Sequence, residues 1–385
     1  MIVKRVPIDT YCEKKVPTIQ KTYDGLIDYH DISSLDNAEK RIISYQTIRS
    51  SNAPSRAKQL LKKGDVLVST VRPNLNAVAV VEEETENLMV GSTGYCVLRC
   101  KENIDVRYLF NFCQSQYFID DMSSQATGAS YPAVSNSIVR NSLIPCHSIE
   151  EQRKIAEKID TVSELIAFRK QQLVELDELV KSRFIELFGD QATNPFSFPV
   201  CKLSDVSDIY LGLTHTPTYV EQGRPFLSVR DISSGVIDFS NCHYITEEEF
   251  NSLPNGARPK VGDILFCRVG TIGKPVIIPE NTDEFGTFVS VGYLRKKSMV
   301  NNHYLKSWME NDYFMRQVYD NVAGVAQINL NTGWLKNFRI LLPPYELQEQ
   351  FAAFVEQTDK SKLAVQQSIA ELEELKKSLM QKYFG

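Results

Sequence analysis

The 385-residue sequence is poor in the features that mark most enzymes. It has five histidines (His30, His147, His215, His243 and His303), and no two are neighbours. None of its eight cysteines forms a C-x-x-C pair, so neither a zinc ribbon nor a thioredoxin-type redox motif is expected. No run of about 18 apolar residues exists, which excludes a membrane-spanning helix by hydropathy. The opening Met1–Pro7 has no apolar signal core, so a cytoplasmic protein with reduced thiols is expected. Strong charge of one sign is also missing. The net charge is −5, and residues 1–148 carry 17 basic against 16 acidic side chains, which argues against a nonspecific coat on nucleic acid. Local basic clusters remain, at Arg56 and Lys58, Lys62-Lys63, and Arg72.

Catalytic look-alikes fail on chemistry. Leu342-Pro343-Pro344-Tyr345 resembles the Asn/Asp-Pro-Pro-Tyr loop of DNA amino-methyltransferases, but Leu342 cannot accept a hydrogen bond from a target amino group. Gly270-Thr271-Ile272-Gly273-Lys274-Pro275 is too short between its glycines for a phosphate loop, and Pro275 stands where a magnesium-binding hydroxyl belongs. No G-x-G-x-x-G follows a strand. We expect no catalytic residue, no metal site and no cofactor within this chain.

What the chain does have is itself, twice. Asp31-Ile32-Ser33-Ser34 recurs as Asp231-Ile232-Ser233-Ser234, and Gly64-Asp65-Val66-Leu67 as Gly262-Asp263-Ile264-Leu265. Leu98-Arg99, Tyr108-Leu109 and Tyr117-Phe118 return at Leu294-Arg295, Tyr304-Leu305 and Tyr313-Phe314. Phe188-Gly189 returns as Phe384-Gly385. Matches in one order at one spacing indicate duplication. Each copy reads as a mixed α/β globular part followed by a helix, giving boundaries at 1–148, 149–189, 190–345 and 346–385. Strands are expected at Val66–Val68, Val78–Val81, Ile264–Phe266 and Val276–Ile278, with helical spacing near 106–122 and 302–319.

Residues 150–188 contain no Gly and no Pro. Their apolar positions Ile155, Ile159, Val162, Ile166, Leu173, Leu176 and Val180 follow the 4,3 spacing of a coiled coil. Phe351, Val355, Val365, Ile369, Leu372 and Leu379 keep the same phase in the second copy, with Thr358, Lys362 and Lys376 as polar members. The seam matches at a spacing of 196, whereas Glu151-Gln152 and Glu349-Gln350 match at 198, so the first turns are expected to differ. Two such seams exposed singly would aggregate, and mutual antiparallel pairing buries both. Ile155 to Val180 would span about 39 Å, close to a DNA turn of about 34–36 Å.

The motifs Ala53-Pro54-Ser55-Arg56-Ala57, Lys63-Gly64-Asp65 through Arg72-Pro73, Gly262-Asp263-Ile264-Leu265 with Arg268, and the junctions before Glu151-Gln152 and Glu349-Gln350 resemble the specificity subunit of type I restriction–modification enzymes. The resemblance covers nearly the whole chain. It implies an α+β fold: two target-recognition domains separated by a pair of long antiparallel coiled-coil helices with an internal pseudo-twofold repeat. It implies sequence-specific binding to a bipartite, asymmetric site in double-stranded DNA. Two methyltransferase subunits carrying S-adenosylmethionine would methylate adenine N6, and restriction/translocase subunits using ATP and Mg could join. The second head opens with a family-like loop, Leu211–Pro217, for which the first head has no clear equivalent near Tyr11–Thr22. The competing class is a coiled-coil scaffold or regulatory protein without sequence preference.

Reading DNA requires cations for phosphates and Arg, Asn, Gln, Ser or Thr for base edges. Candidates in the first head are Arg56, Lys58, Thr70, Arg72, Asn74, Asn76, Ser130 and Tyr131. Those in the second are Thr214, His215, Thr216, Arg230, Arg268, Lys274, Gln327, Asn329 and Asn331. Arg72 and Arg268 rank first because both follow the Gly-Asp strand.

Overall fold

A computed structural model describes residues 4–321 and 329–385. The chain forms two compact units, Met1–Gln171 with Gln366–Gly385, and Gln172–Val365. Both long helices, Ile149–Phe188 (the central helix) and Tyr345–Phe384 (the C-terminal helix), contribute one end to each unit.

In the first unit, Val66–Ser69 lies between Tyr95–Leu98 and Val78–Val80 in an antiparallel sheet. These are unbroken apolar runs, as expected for strands covered on both faces. A second sheet orders Gln46–Arg49, Leu26–His30, Leu88–Ser92 and Ala57–Leu60, with its central pair parallel. Helices Val106–Phe112 and Gln116–Ser124 start at side-chain caps from Asp105 and Ser115. The second unit repeats the plan. Ser207–Leu211, Val291–Lys296, Ile264–Cys267 and Val276–Ile277 form one sheet, and His243–Ile245, Arg224–Leu227 and Gly286–Thr287 another. Helices Asn302–Met309 and Asp312–Asn321 follow.

The repeated Gly-Asp pair has a structural explanation. Gly64 and Gly262 adopt φ of 88° and 82°, a region that suits glycine. The following carboxylate ties the turn, accepting from the backbone N–H of Lys62 at 2.8 Å and of Lys260 at 2.7 Å. It also accepts a two-pronged bond from an arginine at the end of the neighbouring strand: Arg99, just after Tyr95–Leu98, at 2.8 and 2.7 Å from Asp65, and Arg295, within Val291–Lys296, at 2.9 and 2.7 Å from Asp263. The pair in the first unit is almost fully buried, so neither charge has water as an alternative partner.

The helix ends close each unit. Phe384 sits fully buried in the first core, its ring 5.2 Å from Tyr108 and 5.8 Å from Phe112. Arg5 donates to the carbonyls of Phe384 and Gly385 at 2.9 and 2.7 Å. Phe188 takes the matching place in the second core, 4.7 Å from Tyr304 and 5.4 Å from Phe351. Tyr108 and Tyr304 each donate a hydroxyl hydrogen bond to the strand before a long helix, at Pro145 O and Leu341 O. Within each unit the start of one long helix therefore meets the end of the other, and the pair is antiparallel.

Ile155, Ile159, Val162, Ile166, Phe351, Val355, Thr358 and Val365 are buried. Leu173, Leu176, Val180, Ile369, Leu372 and Leu379 are half-buried, the coverage a two-stranded seam provides. Lys362 resolves its seam position by reaching Asp177 on the other helix at 2.6 Å.

One expectation is corrected. The first turns of the long helices are equivalent after all, because the partner of Gln152 is Gln348, not Gln350. Gln152 accepts from Asp105 N and donates to His147 O; Gln348 accepts from Asn301 N and donates to Pro343 O. Both are buried, and the spacing of 196 holds from the first turn on. The heads also open differently. Where the second has the strand Ser207–Leu211, the first has an isolated bridge, Cys12↔Cys100. Glu13, Lys14, Lys15 and Pro17 explain this: the segment lacks strand alternation, and proline cannot donate to a ladder.

Replacing Asp65 with Ala strands the buried Arg99 guanidinium and should destabilise the first unit by about 3–5 kcal/mol. Phe384→Ala should cost about the same through the cavity it leaves. Urea unfolding monitored by tyrosine and tryptophan fluorescence measures both; midpoints unchanged from the parent would contradict these assignments.

Candidate nucleic-acid interface

In the first head the strand Val66–Ser69 leads into a short helical turn, Pro73–Leu75, bracketed by Arg72 and Asn76 at φ of 50° and 46°. Non-glycine residues hold such angles only when neighbours enforce them. Here the enforcement is visible. Arg72 N–H donates to Pro132 O at 2.7 Å, and Val134 N–H to Thr70 O at 2.9 Å. The Asn76 side chain is buried, donating to Cys113 O at 2.8 Å and accepting from Lys40 Nζ at 3.1 Å. Thr70 is buried as well, its hydroxyl donating to Gly94 O at 2.9 Å. Thr70 and Asn76 therefore hold the loop together and are withdrawn as base contacts.

That scaffold presents Arg72. Its guanidinium lies over the exposed Tyr131 ring, 4.6 Å from the centroid. Arg56, Arg72 and Tyr131 line one open cleft of about 590 Å³ with Ile32, Leu35, Leu75 and Ala77. Lys58, Asn74 and Ser130 are exposed, and the structure assigns them no place in this cleft.

The second head uses the matching arginine differently. Arg268 Nε and Nη1 donate to Leu330 O and Val289 O, both at 3.0 Å, and Nη2 to Asn329 Oδ1 at 3.2 Å. Burial without a carboxylate partner lowers its pKa. Arg268 is thus a latch joining three segments, and Asn329 is held by it. This corrects the equal ranking of Arg72 and Arg268. Asn331 is also engaged, capping the helix Thr332–Lys336 through Gly333 N–H at 2.7 Å. Gln327 lies outside the described residues.

Thr214, His215 and Thr216 are exposed on the loop after Gly212, where any Cβ would lie 2.2 Å from Phe288 O. Leu213 pairs with this strand, donating to Thr287 O and accepting from Val289 N–H, so the loop sits beside the Arg268 latch. Arg230 contacts His243 Nε2 at 3.0 Å, and His243 stacks on Tyr219 at 4.1 Å. Tyr219 and His243 were not singled out from sequence as DNA contacts, since nothing in their spacing announces a face-to-face ring pair. Exposed Lys274 lines a larger cleft of about 910 Å³ with Lys181, Lys306, Arg316 and Lys362, interleaved with Asp177, Glu310 and Asp312. Of these basic residues, Lys274 alone was a sequence candidate for DNA.

Among the described residues no three His, Cys, Asp or Glu side chains converge as metal ligands. Leu342-Pro343-Pro344-Tyr345 is the N-terminal junction of the C-terminal helix, where Pro343 O accepts from Gln348. No helix of the described residues is long and apolar enough to cross a membrane.

A duplicated head-and-helix protein with exposed cation–aromatic clusters is a binding module. The family model for the type I restriction modification DNA specificity domain matches twice, over residues 12–178 and 199–374, and the chain belongs to that family. It is 24% identical over 281 residues to the type I restriction enzyme MjaVIII specificity subunit of Methanocaldococcus jannaschii, covering 67% of this chain and 65% of the relative. The EcoBI specificity subunit of Escherichia coli is 20% identical over 305 residues, 69% and 63% of the two chains. The alignments thus span just under two thirds of these relatives. A solved structure described as the structural basis of complex assembly and conformational transition of the type I R-M system shares the fold. Its TM-score is 0.64 at 24% identity, covering 99% of this chain and 97% of that one.

The two arginines should separate experimentally. Arg268→Ala removes three hydrogen bonds and leaves carbonyls unpaired, lowering stability by about 2–3 kcal/mol. Arg72→Ala should stay within about 0.5 kcal/mol of the parent. Equal shifts in thermal midpoint would refute the distinction.

Proposed function

We propose that this chain is the DNA-specificity subunit of a type I restriction–modification complex. The observation that supports it above others is the twofold match of the specificity-domain family to two heads, each followed by a long helix. Each head reads one half of a bipartite, asymmetric double-stranded site. The heads carry different exposed side chains, so the two half-sites differ. The antiparallel helices connect the two heads, each helix contributing one end to each unit.

Chemistry belongs to partners. Two methyltransferase subunits supply S-adenosylmethionine and transfer its methyl group to adenine N6, and restriction/translocase subunits supply ATP- and Mg-dependent cleavage. The specificity chain positions them on the cytoplasmic DNA and contributes no reacting group. Phosphate contacts from exposed residues such as Arg56, Lys58 and Lys274 make affinity fall steeply with salt.

Genome-wide mapping of N6-methyladenine with the gene present and deleted tests this reading. A split motif that disappears on deletion is the expected outcome. An unaltered methylation map in a strain whose partner methyltransferase is intact would sink it.

A further inference from the structure

The cleft around Arg72 combines features that a phosphate contact does not need. Its lining is largely apolar (Ile32, Leu35, Leu75, Ala77), with Arg56 and Arg72 as its cationic members. Neither guanidinium forms an ion pair among the described residues. Tyr131 is 68% exposed and Leu75 49%, so large apolar surfaces stand open beside the charge. The Arg72 guanidinium rests over the Tyr131 ring, and no hydrogen bond to another described residue engages its N–H donors. The left-handed backbone at Arg72 and Asn76, pinned by Pro132 O and by the buried Asn76 amide, fixes the loop that carries it.

A planar fork of donors matches the O6 and N7 acceptors of guanine in the major groove, and apolar surface beside it matches the C5-methyl of thymine. A phosphate would also accept from that fork, but it has no use for the apolar surface beside it. We infer that the first head reads a guanine through Arg72 and the methyl group of an adjacent thymine through Leu75 and Tyr131. The second head cannot read the same step at its matching position, because Arg268 is spent on Leu330, Val289 and Asn329. The inference rests on the DNA-specificity reading and adds the base and the residue.

The test uses the complex with its methyltransferase partner and a duplex carrying the motif found by methylation mapping. Each guanine is replaced in turn by 7-deazaguanine, which lacks the N7 acceptor, and each thymine by uracil, which lacks the methyl. One guanine in one half-site should lose about tenfold or more in affinity, and uracil beside it several-fold. In Arg72→Ala the penalty at that guanine should vanish while those in the other half-site persist. Should Arg72→Ala fold poorly, Arg72→Met, which keeps the length of the side chain without its donors, repeats the test. No 7-deazaguanine penalty in either half-site, or a penalty that a folded donor-free variant leaves intact, would overturn the inference while DNA specificity stands. Binding that ignores the motif altogether would overturn the parent reading too.

Discussion

Each unit depends on an aromatic side chain delivered from the far end of a long helix. Phe384 fills the space beneath Tyr108 and Phe112, and Phe188 the space beside Tyr304 and Phe351. Neither head completes its own core: the first cluster of buried residues contains Ile155 and Ile159 from one helix and Phe384 from the other. The second likewise contains Phe184, Phe188, Phe351 and Val355. Head and spacer are therefore one packed body within each unit rather than beads on a string. Burial of this size dominates the energetics, because surface ion pairs along the helices contribute little by comparison.

The same framework tolerates divergence where reading happens. Gly-Asp turns, their strand arginines, the tyrosine hydroxyls and the helix-start glutamines are duplicated nearly atom for atom. The loops that follow the Gly-Asp strands are not. Arg72 stands outside on Tyr131, and Arg268 is drawn inward onto carbonyls. A scaffold fixed by buried polar pairs lets exposed loops change without disturbing the core.

Duplication, the long helices and the seam were legible in the sequence, because repeats and a 4,3 apolar period survive without coordinates. The Gly-Asp motif was legible as punctuation, but its meaning was not, since Arg99 comes in from the end of another strand of the sheet. Arg72 and Arg268 looked interchangeable because position after a strand says nothing about where a long side chain turns. Thr70 and Asn76 resembled readers because polar loop residues serve turns and ligands alike. Gln348 was overlooked in favour of Gln350 because identity of neighbours was weighed above helical phase. The Tyr219–His243–Arg230 stack joins distant segments, which no local pattern records.

The order of the pieces along the chain has a temporal consequence. The second unit is one continuous stretch, Gln172–Val365, whereas the first needs both 1–171 and 366–385. As the polypeptide leaves the ribosome from its N-terminus, the second unit can finish first. The earlier-made head must wait, with the site for Phe384 and the Arg5 donors unfilled, until residues 366–385 emerge. Synthesis order and assembly order are thus inverted, and a ribosome that stops short leaves the head it made first unfinished.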